Sequence, residues 1–171
     1  VEQYLRDAKI MSLYEGTNGI QSMDLMGRKM TINNGGPFAA FRSMVDEFCQ
    51  READHSALGG LVRALGAFCR NLWSAAETMR DLMKTDPLQW ASGTYPALLA
   101  FGDAAVCWLL LDLAVKAHPK ASQDGPNRDF YAGKVFQASY FVDATLPHAE
   151  AHLKNCLREG REVVDIPEAA F

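Results

Sequence analysis

The 171-residue sequence lacks paired cysteines and lacks any run of basic residues. Zinc knuckles and thioredoxin-like redox sites need Cys-x-x-Cys pairs, so the absence of such a pair excludes both classes of site. The formal net charge is −4, with lysine and arginine scattered among acidic residues, which leaves no basic face for nucleic acid or an anionic membrane. The four cysteines, each within an apolar helical pattern, are Cys49, Cys69, Cys107 and Cys156.

Long apolar runs are also missing. The longest, residues 104–111, is far shorter than the roughly 20 residues that span a bilayer. Charged residues such as Glu2 and Arg6 interrupt the N-terminal stretch, so it has no secretory signal pattern. Widely spaced cysteines that act as small buried hydrophobes fit a reducing compartment. We therefore expect a soluble, cytoplasmic protein with no membrane span.

Strand patterns are absent too, since neither alternating apolar residues nor a two-residue hairpin turn occurs. Helical periodicity is strongest over residues 58–85, where two apolar series repeat every seven positions. These series are Leu58, Leu65, Leu72 and Met79, and Leu61, Phe68, Ala75 and Leu82. Repeats of this kind specify a seam that packs at a shallow angle. The sequence predicts an all-α fold, an up-and-down helical bundle of long antiparallel helices.

Further helices are predicted over residues 3–13, 18–32, 37–53, 88–118 and 130–158. The helix over 88–118 has an almost wholly apolar second half and is expected at the centre of the bundle. Asp86-Pro87 separates it from the helix before it. Pro147 predicts a bend near residues 143–144, because proline removes a hydrogen bond from a helix interior.

The clearest linker is Asn33-Asn34-Gly35-Gly36-Pro37. It divides the chain into two predicted domains, residues 1–36 and residues 37–171. In the first, Gly16 ends a helix and Thr17 caps the next, its hydroxyl accepting from a backbone N–H two or three residues on. An apolar stripe then runs through Ile20, Met23, Gly27 and Met30, and we expect it to pack on the bundle or on another chain.

Most candidate catalytic or metal sites fail on spacing. His148 and His152 stand at i, i+4, but the H-E-x-x-H pattern is not met and no third ligand is evident, so solvated histidines are expected and no metal. Asp103 and Asp112 are nine residues apart on one helix, which places them on opposite faces. Gly59-Gly60 lacks the lysine of a phosphate-binding loop.

Glu15 is the remaining candidate, on a glycine-containing turn directly before a helix start. Two interpretations are open from the residues alone. Glu15 could be a solvated acid that favours the positive end of the next helix. Alternatively, apolar neighbours and a bound ligand could desolvate its carboxylate and raise its pKa into the range of a general base.

The stretch around Glu15 resembles the acyl-CoA dehydrogenase family. The residues that carry the resemblance are Tyr4-Leu5-Arg6-Asp7-Ala8-Lys9-Ile10, three spacer residues, and Tyr14-Glu15-Gly16-Thr17. The continuation, Asn18-Gly19-Ile20-Gln21 and Asp24-Leu25-Met26-Gly27-Arg28-Lys29, resembles the branch with an extra C-terminal helical domain. That branch includes broad fatty-acyl-CoA and 3-methylmercaptopropionyl-CoA dehydrogenases. The resemblance is specific over residues 1–32 and looser beyond, as in residues 95–102 and 167–171.

This resemblance implies a catalytic role for Glu15, as the base that removes the α-proton of an acyl-CoA thioester while the β-hydrogen leaves as hydride to FAD. It implies that Gly16 lets the backbone approach the substrate and that Thr17 contacts the flavin. Electron-transfer flavoprotein or a similar acceptor and a homo-oligomer are implied as partners.

The family needs further domains upstream to bind FAD, and the chain is expected to be a C-terminal fragment: residues 1–36 end the dehydrogenase bundle, and residues 37–171 form an appended helical domain. The fragment alone is expected to be inactive and to bind no FAD. The alternative is a stand-alone helical interaction module without catalysis.

Overall fold

The computed structural model describes residues 2–13, 17–160, 162 and 165–170. In chain order the helices are α1 (Glu2–Leu13), α2 (Asn18–Asp24), α3 (Met30–Glu52), α4 (Gly59–Thr85), α5 (Pro87–Ala121), α6 (Arg128–Tyr140) and α7 (Leu146–Cys156). Two π-helical segments, Leu25–Lys29 and Phe141–Thr145, join α2 to α3 and α6 to α7, and a 3₁₀ turn covers Glu168–Ala170. No strand occurs among these residues, which confirms the predicted all-α bundle.

The apolar repeat of α4 forms one wall of the core. Leu65 and Met79 are fully buried and Leu72 is nearly so, as the seven-residue spacing predicts. Trp73, on the adjacent face, donates its indole N–H to Asp46 Oδ1 of α3 at 3.0 Å. The helix is therefore held on its apolar face by the hydrophobic effect and oriented at its edge by a polar contact with α3.

Helix α5 lies at the centre of the bundle, as predicted, and packs against α2, α4, α6 and α7. Small residues let its neighbours approach closely, since Ala100, Ala104 and Ala114 are completely buried. By length and composition alone, Pro87–Ala121 could also cross a membrane, a property that core helices of soluble bundles share. The expectation of no membrane span rests on the shorter apolar run of residues 104–111 and stays a prediction.

The junction between α4 and α5 is a single residue, and Asp86 shapes it. Its carboxylate Oδ1 accepts from the backbone N–H of Gln89 at 3.1 Å, and Pro87 follows in the first helical turn. An aspartate cap satisfies one of the N–H groups that have no partner within the helix, and proline lacks the N–H that would otherwise need one. The predicted boundary at Asp86-Pro87 is confirmed.

The predicted linker interrupts α3. Ile32 has an extended backbone, and Asn33, Asn34 and Gly35 follow with φ of 52°, 56° and 79°. Three consecutive left-handed residues cannot continue a right-handed helix, and asparagine and glycine are the residues that adopt this conformation at least cost. The chain resumes a helical course with Pro37 in its first turn, so the predicted break is confirmed.

The stripe predicted for residues 18–32 packs on the bundle only in part. Met30 is buried as predicted, but Ile20 and Met23 are 69% and 46% exposed, and the other buried positions are Ser22 and Met26. The π-helical segment explains the change. A π turn contains more residues than an α turn, so the buried positions follow one another at a constant spacing of about four residues. The same spacing recurs across the second π segment, in Ala138, Val142 and Leu146.

That second π segment lies where a bend was predicted. Pro147 has no N–H to bond the carbonyl of Asp143, and its ring would crowd that carbonyl in a regular helix. The chain widens into the π segment Phe141–Thr145 just before the proline and then continues as α7. The interruption was correctly located, and the structure identifies its form.

Candidate active-site segment

The predicted active-site residues directly precede α2 in the sequence. Glu15 and Gly16 fall outside the described residues, so their roles stay predictions. Thr17 is described; it is half-buried, and its carbonyl accepts from the backbone N–H of Gln21 at 2.7 Å. The predicted capping bond from the Thr17 hydroxyl is wrong, because Thr17 is the N-cap residue of α2 but its side chain makes no capping hydrogen bond.

A buried polar contact fixes α2 on the bundle. Ser22 Oγ lies 3.1 Å from Thr94 Oγ1 of α5, and either hydroxyl can donate. Each hydroxyl also has an acceptor in its own helix, with Ser22 Oγ 2.7 Å from Gly19 O and Thr94 Oγ1 2.9 Å from Ala91 O. Because a hydroxyl has one proton, one of the two donates to its own helix and accepts from the other. Both side chains are almost completely buried. Because Ser22 is five residues from Thr17, this contact ties the end of the candidate turn to the central helix.

Apolar packing between the first π segment and α5 adds to the Ser22–Thr94 contact. Gly27 faces Trp90, and a Cβ placed on Gly27 would lie 3.5 Å from Trp90 Cζ2. Met26 and Met30 are buried on either side of it. The π segment therefore packs directly against α5, at a distance that would place a Cβ on Gly27 in ordinary van der Waals contact with Trp90.

The opposite face of the same segment carries a compact charge cluster. Arg28 donates to both carboxylate oxygens of Asp24, at 2.6 and 2.9 Å, and Lys29 Nζ lies 3.3 Å from Asp24 Oδ2. The hydrogen bond from Arg28 lowers the pKa of Asp24, and the same bond raises the pKa of Arg28. These charges are solvated, so their net stabilisation is small.

Helix α1, which carries the first half of the signature, makes contacts chiefly within itself. Its side chains from Glu2 to Met11 are all exposed. Arg6 pairs with Glu2 at 2.7 Å, and Gln3 donates to Asp7 at 2.7 Å. Tyr4, Leu5 and Met11 are each more than 70% exposed. The apolar side chains of α1 therefore have no cover within the described part of the chain.

The two histidines dismissed on spacing face α5. His148 is exposed and His152 half-buried, and both lie close enough to Asp103 to act on its charge. Burial raises the pKa of Asp103, and the charges of His152 and His148 oppose that rise. No group of three acidic, histidine or cysteine side chains among the described residues could hold a metal ion. Sequence spacing missed this cluster because its members come from different helices.

The cysteines are free thiols, as predicted. Cys69, Cys107 and Cys156 are buried and Cys49 is half-buried against Gly66, with its Sγ 3.7 Å from the position of a Cβ there. Burial raises the pKa of Cys49 and of Cys156 to about 11 and that of Cys107 to about 12. Such thiols are protonated and unreactive near neutral pH.

An apolar groove opens between α3 and α5, and we call it the α3–α5 groove. Its volume is about 490 Å³. Ten residues line it, and Lys29 is the one charged residue among them. They are Leu25, Lys29, Met30, Ile32, Pro37, Phe38, Phe41, Leu98, Phe101 and Gly102.

Comparison with known proteins decides the family. A family model described as acetyl-CoA dehydrogenase C-terminal like matches residues 41–167, most of the chain. The chain belongs to this family. The match covers α4 to α7 and about half of α3. The residues that line the α3–α5 groove lie on both sides of residue 41, where the match begins.

Relatives of the acyl-CoA dehydrogenase family extend the similarity to residues before 41. The chain is 32% identical over 184 aligned positions to the broad-specificity linear acyl-CoA dehydrogenase FadE5 of Mycobacterium tuberculosis, covering 100% of this chain and 29% of that protein. It is 27% identical to a butyryl-CoA dehydrogenase of Syntrophomonas wolfei, over 97% of this chain and 28% of that protein. It is 29% identical to a 3-methylmercaptopropionyl-CoA dehydrogenase of Ruegeria pomeroyi, over 88% of this chain and 26% of that protein. The chain thus spans less than a third of the length of these relatives.

Proposed function

We propose that this chain is the C-terminal part of an FAD-dependent acyl-CoA dehydrogenase that forms an α,β double bond in an acyl-CoA thioester. The observation that carries the proposal is the similarity of the whole chain to an acyl-CoA dehydrogenase, together with the signature around Glu15. Relatives in three bacteria act, by name, on acyl-CoA thioesters of different kinds, so the acyl group is left open.

Glu15 acts as the base in this proposal. Its carboxylate takes the α-proton of the thioester, and the electron pair of that C–H bond forms the double bond as the β-hydrogen departs. FAD, when bound in the full-length enzyme, accepts that hydrogen as a hydride. The backbone N–H of Glu15 stabilises the charge that develops on the thioester oxygen, and Gly16, which has no β-carbon, lets the backbone approach the substrate.

Thr17 supports the flavin part of the proposal. Its hydroxyl makes no capping bond, so it is available to a ligand beside α2. The anchoring of α2 through Ser22 and Thr94 would hold that hydroxyl in place. In this proposal Thr17 forms one edge of the flavin site and the preceding domains form the rest, so the chain alone binds no FAD and does not turn over.

The decisive variant is Glu15→Gln in the full-length enzyme. Removing a general base lowers the rate by about 10²–10⁴-fold, so acyl-CoA-dependent bleaching of the flavin in a single turnover should slow to that extent. Flavin content, read from absorbance, should stay unchanged. Glu2→Gln is the matched control, because Glu2 is an exposed acid on α1 that pairs with Arg6. Rapid flavin reduction in Glu15→Gln would contradict the role of Glu15.

The remaining partners follow from the same proposal. Electron-transfer flavoprotein or a similar acceptor would reoxidise the flavin, the enzyme would be a homo-oligomer, and its four free thiols fit the cytoplasm. A second function, a helical interaction module without catalysis, is favoured by one observation, the exposed apolar side chains of α1. Expression of the native gene separates the two: a flavin-bound polypeptide supports the enzyme, and a flavin-free polypeptide of about this length supports the module.

A further inference from the structure

The α3–α5 groove continues along α5 as an exposed apolar strip. Gly102 lines the groove, and Val106, Leu109 and Leu113 follow it at a spacing of four, three and four residues, which keeps all four on one face of the helix. Val106, Leu109 and Leu113 are 44%, 52% and 49% exposed. From Leu98 to Leu113 the surface extends for about 22 Å at 1.5 Å per residue.

A contiguous apolar surface of this length indicates a contact site, because monomeric proteins rarely leave one open to water. The groove lies at the seam where the segment before residue 41 meets the family domain. Leu25, Met30 and Ile32 come from that segment, and Leu98 and Phe101 come from the domain. The two parts already pack together beside the groove, where Met26 is buried and Gly27 lies against Trp90.

We infer that the groove and its strip are the docking surface for the preceding domains of the same full-length polypeptide. The inference rests on the proposed function, in which this chain is the last part of a longer enzyme. The groove adjoins a contact that is already formed, because one of its walls, residues 25–32, packs on α5. These residues belong to the same N-terminal segment as α1 and α2. The exposed apolar side chains of α1 lie on that same segment, and the relatives are more than three times as long as this chain.

The charge at the rim argues against a small amphipathic ligand as the occupant. An acyl chain with an anionic head would need a cation at the mouth of the groove. Lys29 is the one cation that lines it, and its ammonium is paired with Asp24 at 3.3 Å. The lining is otherwise apolar, which suits the packed side chains of a covering domain.

A matched pair of glycines tests the inference in the full-length enzyme. A Cβ at Gly102 or at Gly133 has nothing within 4 Å, so cysteine fits at both sites. Gly133 lies on α6, away from the groove. The measurement is the rate of alkylation of Gly102→Cys and of Gly133→Cys, resolved by peptide mass spectrometry. If the groove is covered, Gly102→Cys reacts at least about tenfold more slowly than Gly133→Cys; equal rates overturn the inference.

A photo-crosslinking residue then identifies the occupant. p-Benzoylphenylalanine is placed at Leu113, at the end of the strip, and for control at Phe136, which is 74% exposed on α6. The inference expects crosslinks from position 113 to peptides that precede residue 1, within a single polypeptide. Crosslinks from position 113 to residues 2–170 of a second copy overturn it, as does a crosslinking pattern identical to that from position 136.

The two proposals fail separately. An enzyme that reduces its flavin with acyl-CoA but leaves Gly102→Cys fully reactive refutes the docking surface and leaves the function standing. A full-length polypeptide that protects Gly102→Cys yet has no flavin refutes the function and keeps the surface. Neither Gly102 nor Gly133 belongs to the proposed catalytic residues, so each cysteine variant should retain its flavin.

Discussion

Helices α1 and α4 have similar sequence patterns and opposite surroundings. Both place apolar residues at helical spacing, yet Tyr4 and Leu5 of α1 are 80% and 72% exposed, whereas Leu65 and Leu72 of α4 are 0% and 1% exposed. An isolated helix of 12 residues is marginal in water, and α1 has that length. An amphipathic pattern thus specifies a helix with an apolar face, and in α1 the described residues of this chain leave that face uncovered.

The largest expected effect contrasts the two helices directly. Leu65→Ala removes a completely buried side chain and leaves a cavity, so the free energy of unfolding should fall by about 2–5 kcal/mol. Leu5→Ala, its matched control on α1, should change it by less than about 0.5 kcal/mol. Chemical denaturation of residues 1–171, followed by circular dichroism, measures both. A large loss from Leu5→Ala would show that α1 is packed and would remove the contrast.

A glycine in the bundle gives the next effect. A Cβ at Gly93 of α5 would overlap the carbonyl oxygen of Cys156 and lie 3.1 Å from Met79 Cε and Sδ. Gly93→Ala should therefore lower the free energy of unfolding by about 1–3 kcal/mol through overpacking. Gly133→Ala has open space and should raise it by up to about 1 kcal/mol, since alanine favours helix. Equal effects of the two changes would mean that α5 and α7 are not in close contact.

The fold was largely predictable because its periodicity is local. The apolar repeat of α4, the Asp86-Pro87 boundary and the break at residues 33–37 each depend on residues close together in sequence. The π form of the two segments was not predicted, because a π turn differs from an α turn by one residue. Pro147 indicated the position of the second interruption but not its form. Ile20 and Met23 were expected to pack on the bundle or on another chain, whereas the residues buried in the bundle are Ser22 and Met26.

The candidate site was predictable in a different sense. Glu15, Gly16 and Thr17 were found from a family signature, and geometry does not test the first two. The anchor that holds their helix could not be read from sequence, because Ser22 and Thr94 are 72 residues apart. A serine among apolar positions of a helix gave no sign of a partner on α5. The clustering of Asp103 with His148 and His152 was hidden for the same reason.

The polar contact between α2 and α5 should have a smaller effect than either core change. Thr94→Val removes the hydroxyl that faces Ser22 and should lower the free energy of unfolding by about 1 kcal/mol. Thr78→Val is the control, since Thr78 bonds only its own helix, through Ser74 O at 3.1 Å, and is exposed. A double-mutant cycle with Ser22→Ala isolates the pairwise energy. A coupling of zero would mean that α2 is held by apolar packing alone.

The smallest expected effect is the pH dependence of two carboxylates, Asp103 on α5 and Asp24 at the end of α2. Burial raises the pKa of Asp103 above its ordinary value of 3.8, so the folded state holds this proton more tightly than the unfolded state does. Its contribution to stability therefore falls as the pH rises through 3.8 and through the raised pKa. Arg28 lowers the pKa of Asp24, whose stabilising contribution is present above 3.8 and is lost as the pH falls through the lowered pKa. Asp103→Asn should accordingly gain stability relative to the unmodified chain between pH 3 and pH 7, and Asp24→Asn should lose it. Denaturant titrations across that range measure the free energy of unfolding of both variants. Changes of the same sign would show that the two acids occupy similar environments.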